Sequence, residues 1–380
     1  MTTQLADAPP RSVLLDPELA SAADRLRVQD AHALVKDLLR PRMAIYWADF
    51  LTSWAIGLAA FVLVGTLGYT TVPGAFAFAV SVCALYRAAA FIHELVHMQR
   101  KPGFARFRRG WNLLCGIPLL IPYFMYECHW DHHAKRHYGT AEDAEYVPFA
   151  RRSPWAILGL LAASPLVPLA GPYRFGILTP LSYAIPRLRG YVYAHASALK
   201  LDVEYVGRPP ETRAERRSWM LQELACLAFL GAVGALVATG TIAPERLVQW
   251  YLTFLGITVL NSLRLLGAHR YHGGDEEMTF VEQVLDSTNY PRRRPLAELW
   301  APVGLRLHAL HHLLPGLPYH SYQEAHERLA AGLPPDSAYH LTSSPGLLFS
   351  LRRLWRDASA NHRRRDSGDG SIGIAAGGAS

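Results

Sequence analysis

The sequence predicts an all-α integral-membrane protein, with four transmembrane helices in two hairpins, interfacial helices and a cytoplasmic helical cap. Three observations predict it. Of the 380 residues, 51% are apolar and 18% charged, against roughly 25% charged in soluble domains. The apolar residues gather into long runs, and the Arg and His into the segments between them. Clustered histidines stand in those polar segments, the first cluster closing an apolar run.

Residues 45–65 are apolar except for Asp49 and a few hydroxyls, and residues 71–92 form a second run. A span needs about 20 apolar residues, and the Gly, Thr and Pro between the two runs carry no charge, so this pair reads as a hairpin. Residues 221–239 and 247–267, joined through Pro244, make a second hairpin. Residues 111–126 and 155–186 are apolar but short or interrupted, the latter by Pro165, Pro168, Pro172 and Pro180. Both read as interfacial or re-entrant. A third hairpin within 155–186 would leave the sidedness unchanged.

Basic residues set the orientation. Arg25, Arg27, Lys36, Arg40 and Arg42 precede the first run, and Arg100, Lys101, Arg106, Arg108 and Arg109 follow the second. The first link has no basic residue and the second only Arg246. Both tips therefore point outward and both termini lie in the cytoplasm. Residues 1–42 form a cytoplasmic segment without the apolar core of a signal peptide. Residues 43–358 are the membrane domain, and residues 359–380, with Arg363 to Arg365 followed by Gly, Ser and Ala, are expected to be disordered. The net charge of +7 suits membrane lipid. With no aromatic-interleaved basic stripe or zinc-finger spacing, no nucleic-acid partner is expected. Cys83, Cys115, Cys128 and Cys226 form no CxxC pair and imply no disulfide framework.

The chemistry lies in three histidine boxes. HELVH holds His93 and His97; HWDHH holds His129, His132 and His133; HALHH holds His308, His311 and His312. Spacings of three and four place the histidines of a box on one helix face, so each box is a chelating edge. Imidazole suits iron, zinc, copper and nickel alike. One zinc takes three or four protein ligands, and eight box histidines are too many for that and about right for two metals. Isolated histidines such as His32 and His195 read as surface or core. HELVH also satisfies HExxH, with Glu94 as the general base of an intramembrane zinc metalloprotease, but that reading leaves the other six box histidines idle. A metal carrier is the other alternative, and it would favour ionisable groups at mid-membrane.

The order HxxxH, HxxHH, HxxHH, with the first box closing the second span, resembles the membrane fatty-acid desaturase and hydroxylase superfamily over residues of about 45–333. The third box continues as HHLLPGLPYH, which is similar to the stretch after that box in many bacterial desaturases. The resemblance implies a non-haem di-iron site. It makes His93, His97, His129, His132, His133, His308, His311 and His312 ligands of two iron ions (Fe2+/Fe3+). It implies O2-dependent desaturation of a fatty acyl chain at the inner membrane of the cell. The same boxes serve hydroxylation of a carotenoid, sterol or alkane. Such chemistry needs a redox-active metal, and no flavin, nicotinamide or CxxC iron–sulfur motif is present. An external electron donor, a ferredoxin or flavoprotein reductase, is therefore implied, and a basic face would suit an acidic donor.

Family members usually add one more histidine, and NSLRLLGAHRYH offers His269 and His272. The acyl-CoA desaturase pattern has Asn followed by His four residues later, but here Leu265 stands at that place after Asn261. At about 100° per residue, His272 lies roughly 20° from Asn261 and His269 roughly 80°. Related bacterial desaturases carry NxxRxLxxHR, which points to His269. His269 is favoured, with His272 in reserve. Asp131, Glu142, Asp143 and Glu145 are candidate carboxylate partners of the ligating rings. Arg264, deep in a span, needs a partner, and Glu94 or Asp286 could serve. His320 and His326 read as structural.

Overall fold

In the computed structural model, residues 13–366 are described, apart from 275 and 293. Among the described residues the chain is helical throughout, with only isolated β-bridges such as His269 to Ser287. Two short helices, α1 (Pro17–Ala22) and α2 (Val28–Val35), open it. They bury Leu19, Ala22, Ala31 and Val35 against the cap.

The first hairpin is α3 (Met43–Leu67) and α4 (Val72–His97). Gly68, at φ 75°, ends α3, and the Thr71 side chain accepts from Gly74 N to start α4. The two helices approach closely because Gly57 has no side chain. A Cβ there would meet Leu85 Cδ2 at 2.7 Å, the small-residue device of membrane helix pairs. After α4 come α5 (Phe104–Trp111) and a π turn, then a turn at residues 117–120 that passes between the hairpins. Trp54 Nε1 donates to Leu114 O at 2.7 Å and Trp250 Nε1 to Pro118 O at 3.2 Å. The second box forms α6 (His129–His133).

The third apolar stretch differs from expectation. Its prolines do not break it: α7 (Trp155–Ala163), α8 (Val167–Pro172) and α9 (Thr179–Ala184) run on through a 3-10 turn and a π turn. Pro165, Pro168 and Pro180 fall in the first turn of their segments, where a missing N–H costs no hydrogen bond. With residues 155–184 counted as one, five helices among the described residues, not four, are long and apolar enough to cross a membrane. The flanks of this stretch nevertheless lie at the same end of the protein. Before it, Arg151 Nε donates to His272 O at 2.6 Å. After it and α10 (Pro186–His195), Leu199 N donates to Met125 O at 2.6 Å.

The second hairpin is α11 (Arg213–Ala238), started by a Thr212–Glu215 capping box, and α12 (Glu245–Ala268). Its tip lies beside that of the first hairpin, because Arg246 Nη2 donates to Gly65 O at 3.1 Å. Gly256 meets Val82 as Gly57 meets Leu85, so α12 packs tightly on α4. The C-terminal ends of α4 and α12 therefore meet. Over them sit α13 (Phe280–Asp286), α14 (Arg294–Trp300), α15 (His308–Leu313), α16 (Tyr322–Gly332) and α17 (Leu347–Asp366). The expected disordered tail is corrected over its first part, since α17 continues to residue 366. Ala358 is fully buried there and Asn361 Nδ2 donates to Ala150 O at 2.8 Å. The remainder of that expectation, residues 367–380, lies outside the described residues.

Candidate metal centre

Three helix ends and one extended residue carry the histidines. The last turn of α4 presents His93 and His97, α6 presents the second box, and α15 the third. α12 stops at Ala268, and extended backbone at His269 turns that ring inward. Asn289 supports α15. Its Oδ1 accepts from Leu310 N at 3.1 Å, satisfying a first-turn N–H, and its Nδ2 donates to Thr342 Oγ1 at 2.9 Å.

Nine histidines fall into two groups. His93, His97, His129, His133 and His311 form one, and His132, His269, His308 and His312 the other, with ligand atoms within 4.8 Å of one another in each. The division follows helix geometry. In each HxxHH box the residues four apart share a group, and the middle histidine faces the other group. Residues i and i+4 stand about 40° apart around a helix, and i+3 lies on the opposite side of i. The groups share a wall, where the His133 and His312 rings stack with centroids 4.5 Å apart.

The donor set fits metal. His133 Nε2 faces His129 Nε2 at 3.1 Å and His311 Nε2 at 2.9 Å, and His308 Nε2 faces His269 Nε2 at 2.9 Å and His312 Nε2 at 3.2 Å. With metal–nitrogen bonds of about 2.1 Å, two ligands at right angles stand about 3.0 Å apart. Both ring nitrogens of His93 and of His97 are buried and lack hydrogen-bond partners, which is costly unless something binds them.

The outer ring nitrogens are held. His129 Nδ1 donates to Glu145 Oε1 at 2.6 Å and His132 Nδ1 to Asp143 Oδ2 at 2.9 Å. A carboxylate on Nδ1 selects the tautomer whose Nε2 lone pair faces the centre. Asp143 also accepts from the backbone N–H of Gly139 at 3.0 Å and of Glu145 at 2.9 Å. Burial, and after it the neighbouring rings, push His129, His133, His308, His311 and His312 well below the ordinary histidine range. Burial does the same to His269. Burial opposes protonation of His132 too, but there the Asp143 carboxylate outweighs it and the shift is upward. Glu145 is pushed up to about 7 by burial. Neutral imidazole is the metal-binding form.

Several expectations are corrected. Asp131 turns away from the histidine groups: it accepts from Tyr205 Oη at 2.8 Å and Arg208 Nη2 at 2.9 Å, and meets His137 Nδ1 at 3.1 Å. Glu142 is exposed and meets His137 Nε2 at 3.0 Å. The reason is helical phase, since Asp131 sits between two inward-facing histidines on a short helix. His272 joins neither group; its ring is buried, and its N–H donates to Asp286 Oδ1 at 2.9 Å. The chain leaves the helix before it, so the phase extrapolated from Asn261 does not apply. Arg264 pairs with neither Glu94 nor Asp286. Glu94 holds the Tyr46 hydroxyl and Tyr319 N–H, and Asp286 holds the Tyr138 and Tyr146 hydroxyls. Arg264 instead donates to Asn261 Oδ1 at 2.8 Å. With its carboxylate so engaged, Glu94 is not placed as a protease base.

Sequence reasoning missed the tyrosines. Tyr138 Oη lies 2.9 Å from His269 Nδ1, and Tyr322 Oη lies 2.9 Å from His311 Nδ1. Neither has a spacing signal. Asp286, which the sequence offered only as a partner of Arg264, closes α13 after Val284 and Leu285 and is fully buried. His320 and His326 are structural, binding Arg42 N and the Tyr339 hydroxyl. Cys128 joins neither group.

A helical membrane protein with two buried histidine groups at the ends of its spans defines the class. Residues 69–343 match the fatty acid desaturase family, and the chain belongs to it as an oxidoreductase. It is similar to ceramide hydroxylase of Caulobacter vibrioides (strain NA1000 / CB15N), at 42% identity over 340 residues, 88% of this chain and 95% of that protein. No solved structure matches.

Proposed function

We propose that this protein is a di-iron hydroxylase of a ceramide-type lipid. The observation that carries the reading is the likeness to a ceramide hydroxylase along nearly the whole of both chains, joined to nine converging histidines. Hydroxylation replaces the acyl desaturation expected from the boxes, which serve either outcome. His93, His97, His129, His133 and His311 would hold one iron, and His132, His269, His308 and His312 the other. When bound, the irons supply the redox chemistry of O2 activation. One C–H bond becomes C–OH. The second oxygen atom leaves as water, using two protons and two electrons from an external donor such as a ferredoxin or flavoprotein reductase.

The chain's own residues orient and exclude. Glu145, Asp143, Tyr138 and Tyr322 fix the rings of His129, His132, His269 and His311. The second group is fully buried, and in the first His93, His129 and His311 are buried while His97 and His133 are partly so. The test is lipid analysis of a host that makes ceramide and expresses the chain under labelled O2. The expected product is ceramide with one labelled oxygen in a new hydroxyl. Ceramide or fatty acid lacking two hydrogens, without label, would replace this reading with desaturation.

Four of the five long helices cross the membrane in this reading, and residues 155–184 enter and leave on the site side. The support is that Arg151 and Leu199 both pack at the histidine end. Reporter tags at the N-terminus, near Arg152 and at the C-terminus should all report cytoplasm, and one near Gly240 the opposite side. A tag at either terminus or at Arg152 reporting the outside would separate the boxes and sink the arrangement.

A further inference from the structure

Arg264 brings a charge into α12, one turn before the helix ends, and is only 7% exposed. Among the described residues it forms no ion pair with a carboxylate. Its hydrogen-bond partner is Asn261, through Nη2, and the Tyr86 hydroxyl and the Glu145 carboxylate lie near enough to act on its charge. Tyr86 Oη itself donates to Asn261 Oδ1 at 3.4 Å. The Nε–H of Arg264 is buried with no partner. An ionised side chain at membrane depth is costly and marks function by default. An Nε–H left without an acceptor adds to that cost.

Its position suggests what the acceptor is. The helix ends four residues further on, about 6 Å along the axis at 1.5 Å per residue, and His269 follows it, so the backbone of Arg264 lies on the bilayer side of that of His269. A lipid whose reacting carbon reaches the histidine groups approaches from the same side. Were the reaction in the middle of a long chain, only CH2 groups would pass here, and they would leave the buried Nε–H without an acceptor. An amide close to the reacting carbon suits it, because a carbonyl oxygen can accept from the free Nε–H.

We propose that Arg264, oriented by Asn261 and Tyr86, is a positioning site for the amide carbonyl of the substrate. It holds that group beside the histidines, so that the hydroxyl enters on a carbon within a few bonds of the amide. The inference rests on the ceramide hydroxylase reading and deepens it.

The test uses full-length protein as purified, in nanodiscs without an electron donor so that nothing turns over, and two probes, an NBD-labelled ceramide and an NBD-labelled alkane of equal length without an amide. Arg264→Met should weaken ceramide binding roughly ten- to hundred-fold, the range for a lost hydrogen bond to a charged group, and leave alkane binding unchanged. Unchanged ceramide binding, or equal loss of both probes, overturns the proposal. If Arg264→Met does not insert, Arg264→Lys keeps the charge but loses the forked N–H donors; the same two probes then decide, with selective loss of ceramide expected. Product mapping with the wild type separates the two levels. A new hydroxyl near the amide supports both. A mid-chain hydroxyl overturns the anchor alone, and a mid-chain double bond overturns both.

Discussion

Replacement of His269 by Ala is expected to leave the purified protein with about one iron per chain instead of two, and without turnover. His269 belongs to the smaller group, where only His132, His308 and His312 would remain as protein ligands. Its Nε2 stands 2.9 Å from His308 Nε2, and its Nδ1 is fixed by the Tyr138 hydroxyl at 2.9 Å and the Ser287 hydroxyl at 3.2 Å. Alanine removes the ring, while the two hydroxyls keep their other partners, Asp286 Oδ2 and Gln283 O. The five-histidine group keeps every nitrogen, so its metal should stay. His272→Ala is the control. That ring is as buried, yet it lies in neither group, so iron content should hold at about two, as the proposed ligand sets require. Iron counting by emission spectroscopy on both variants reads this out. Loss of iron from His272→Ala with retention in His269→Ala would reverse the assignment.

Asp143→Asn should lower metal affinity or turnover by about ten- to hundred-fold, the usual effect of removing the partner that orients a metal-bound histidine. The carboxylate accepts three times, from His132 Nδ1 and from the backbone N–H of Gly139 and Glu145. The amide that replaces it has one oxygen and an NH2 group. At least one buried donor must then face another donor, which costs about 1–3 kcal/mol of stability. Both effects share one cause, so a lower melting temperature should accompany the loss of metal. Asp131→Asn separates this from a general fault in the second box. Asp131 is also buried, but it holds Tyr205, Arg208 and His137 rather than a ring of either group. Its amide variant should keep its iron. Equal iron loss from the two variants would mean that Asp143 acts through the fold of the box and not through His132.

The two carboxylates show how far sequence patterning carries. Asp131 stands inside the second box and Asp143 ten residues beyond it, and proximity along the chain favours the wrong one. A turn through Gly139, at φ 73°, brings Asp143 back under His132. Nothing in the spacing encodes that return. The prolines of residues 155–186 mislead for a related reason. A proline is read from sequence as a break, but its effect depends on whether its N–H would have been used, and here Pro165, Pro168 and Pro180 fall where it would not.

The sequence by itself determined the helical class, the apolar runs and the eight box histidines, because all three rest on local periodicity and composition. The HxxHH spacing also determined that each box presents one chelating edge. Only the tertiary structure decided how those edges are divided. The packing of α4 against α12 brings three helix ends and one extended residue together, and rotation about each short helix sends the middle histidine of a box to the opposite group. It also placed His269, and not His272, among the grouped histidines, since the helix stops at Ala268 and the phase of the preceding turns no longer governs the next residues. Partners such as Tyr138, Tyr322 and Asp286 come from sequence-distant segments. Their contacts follow from how the cap packs on the spans, a property that no local pattern records.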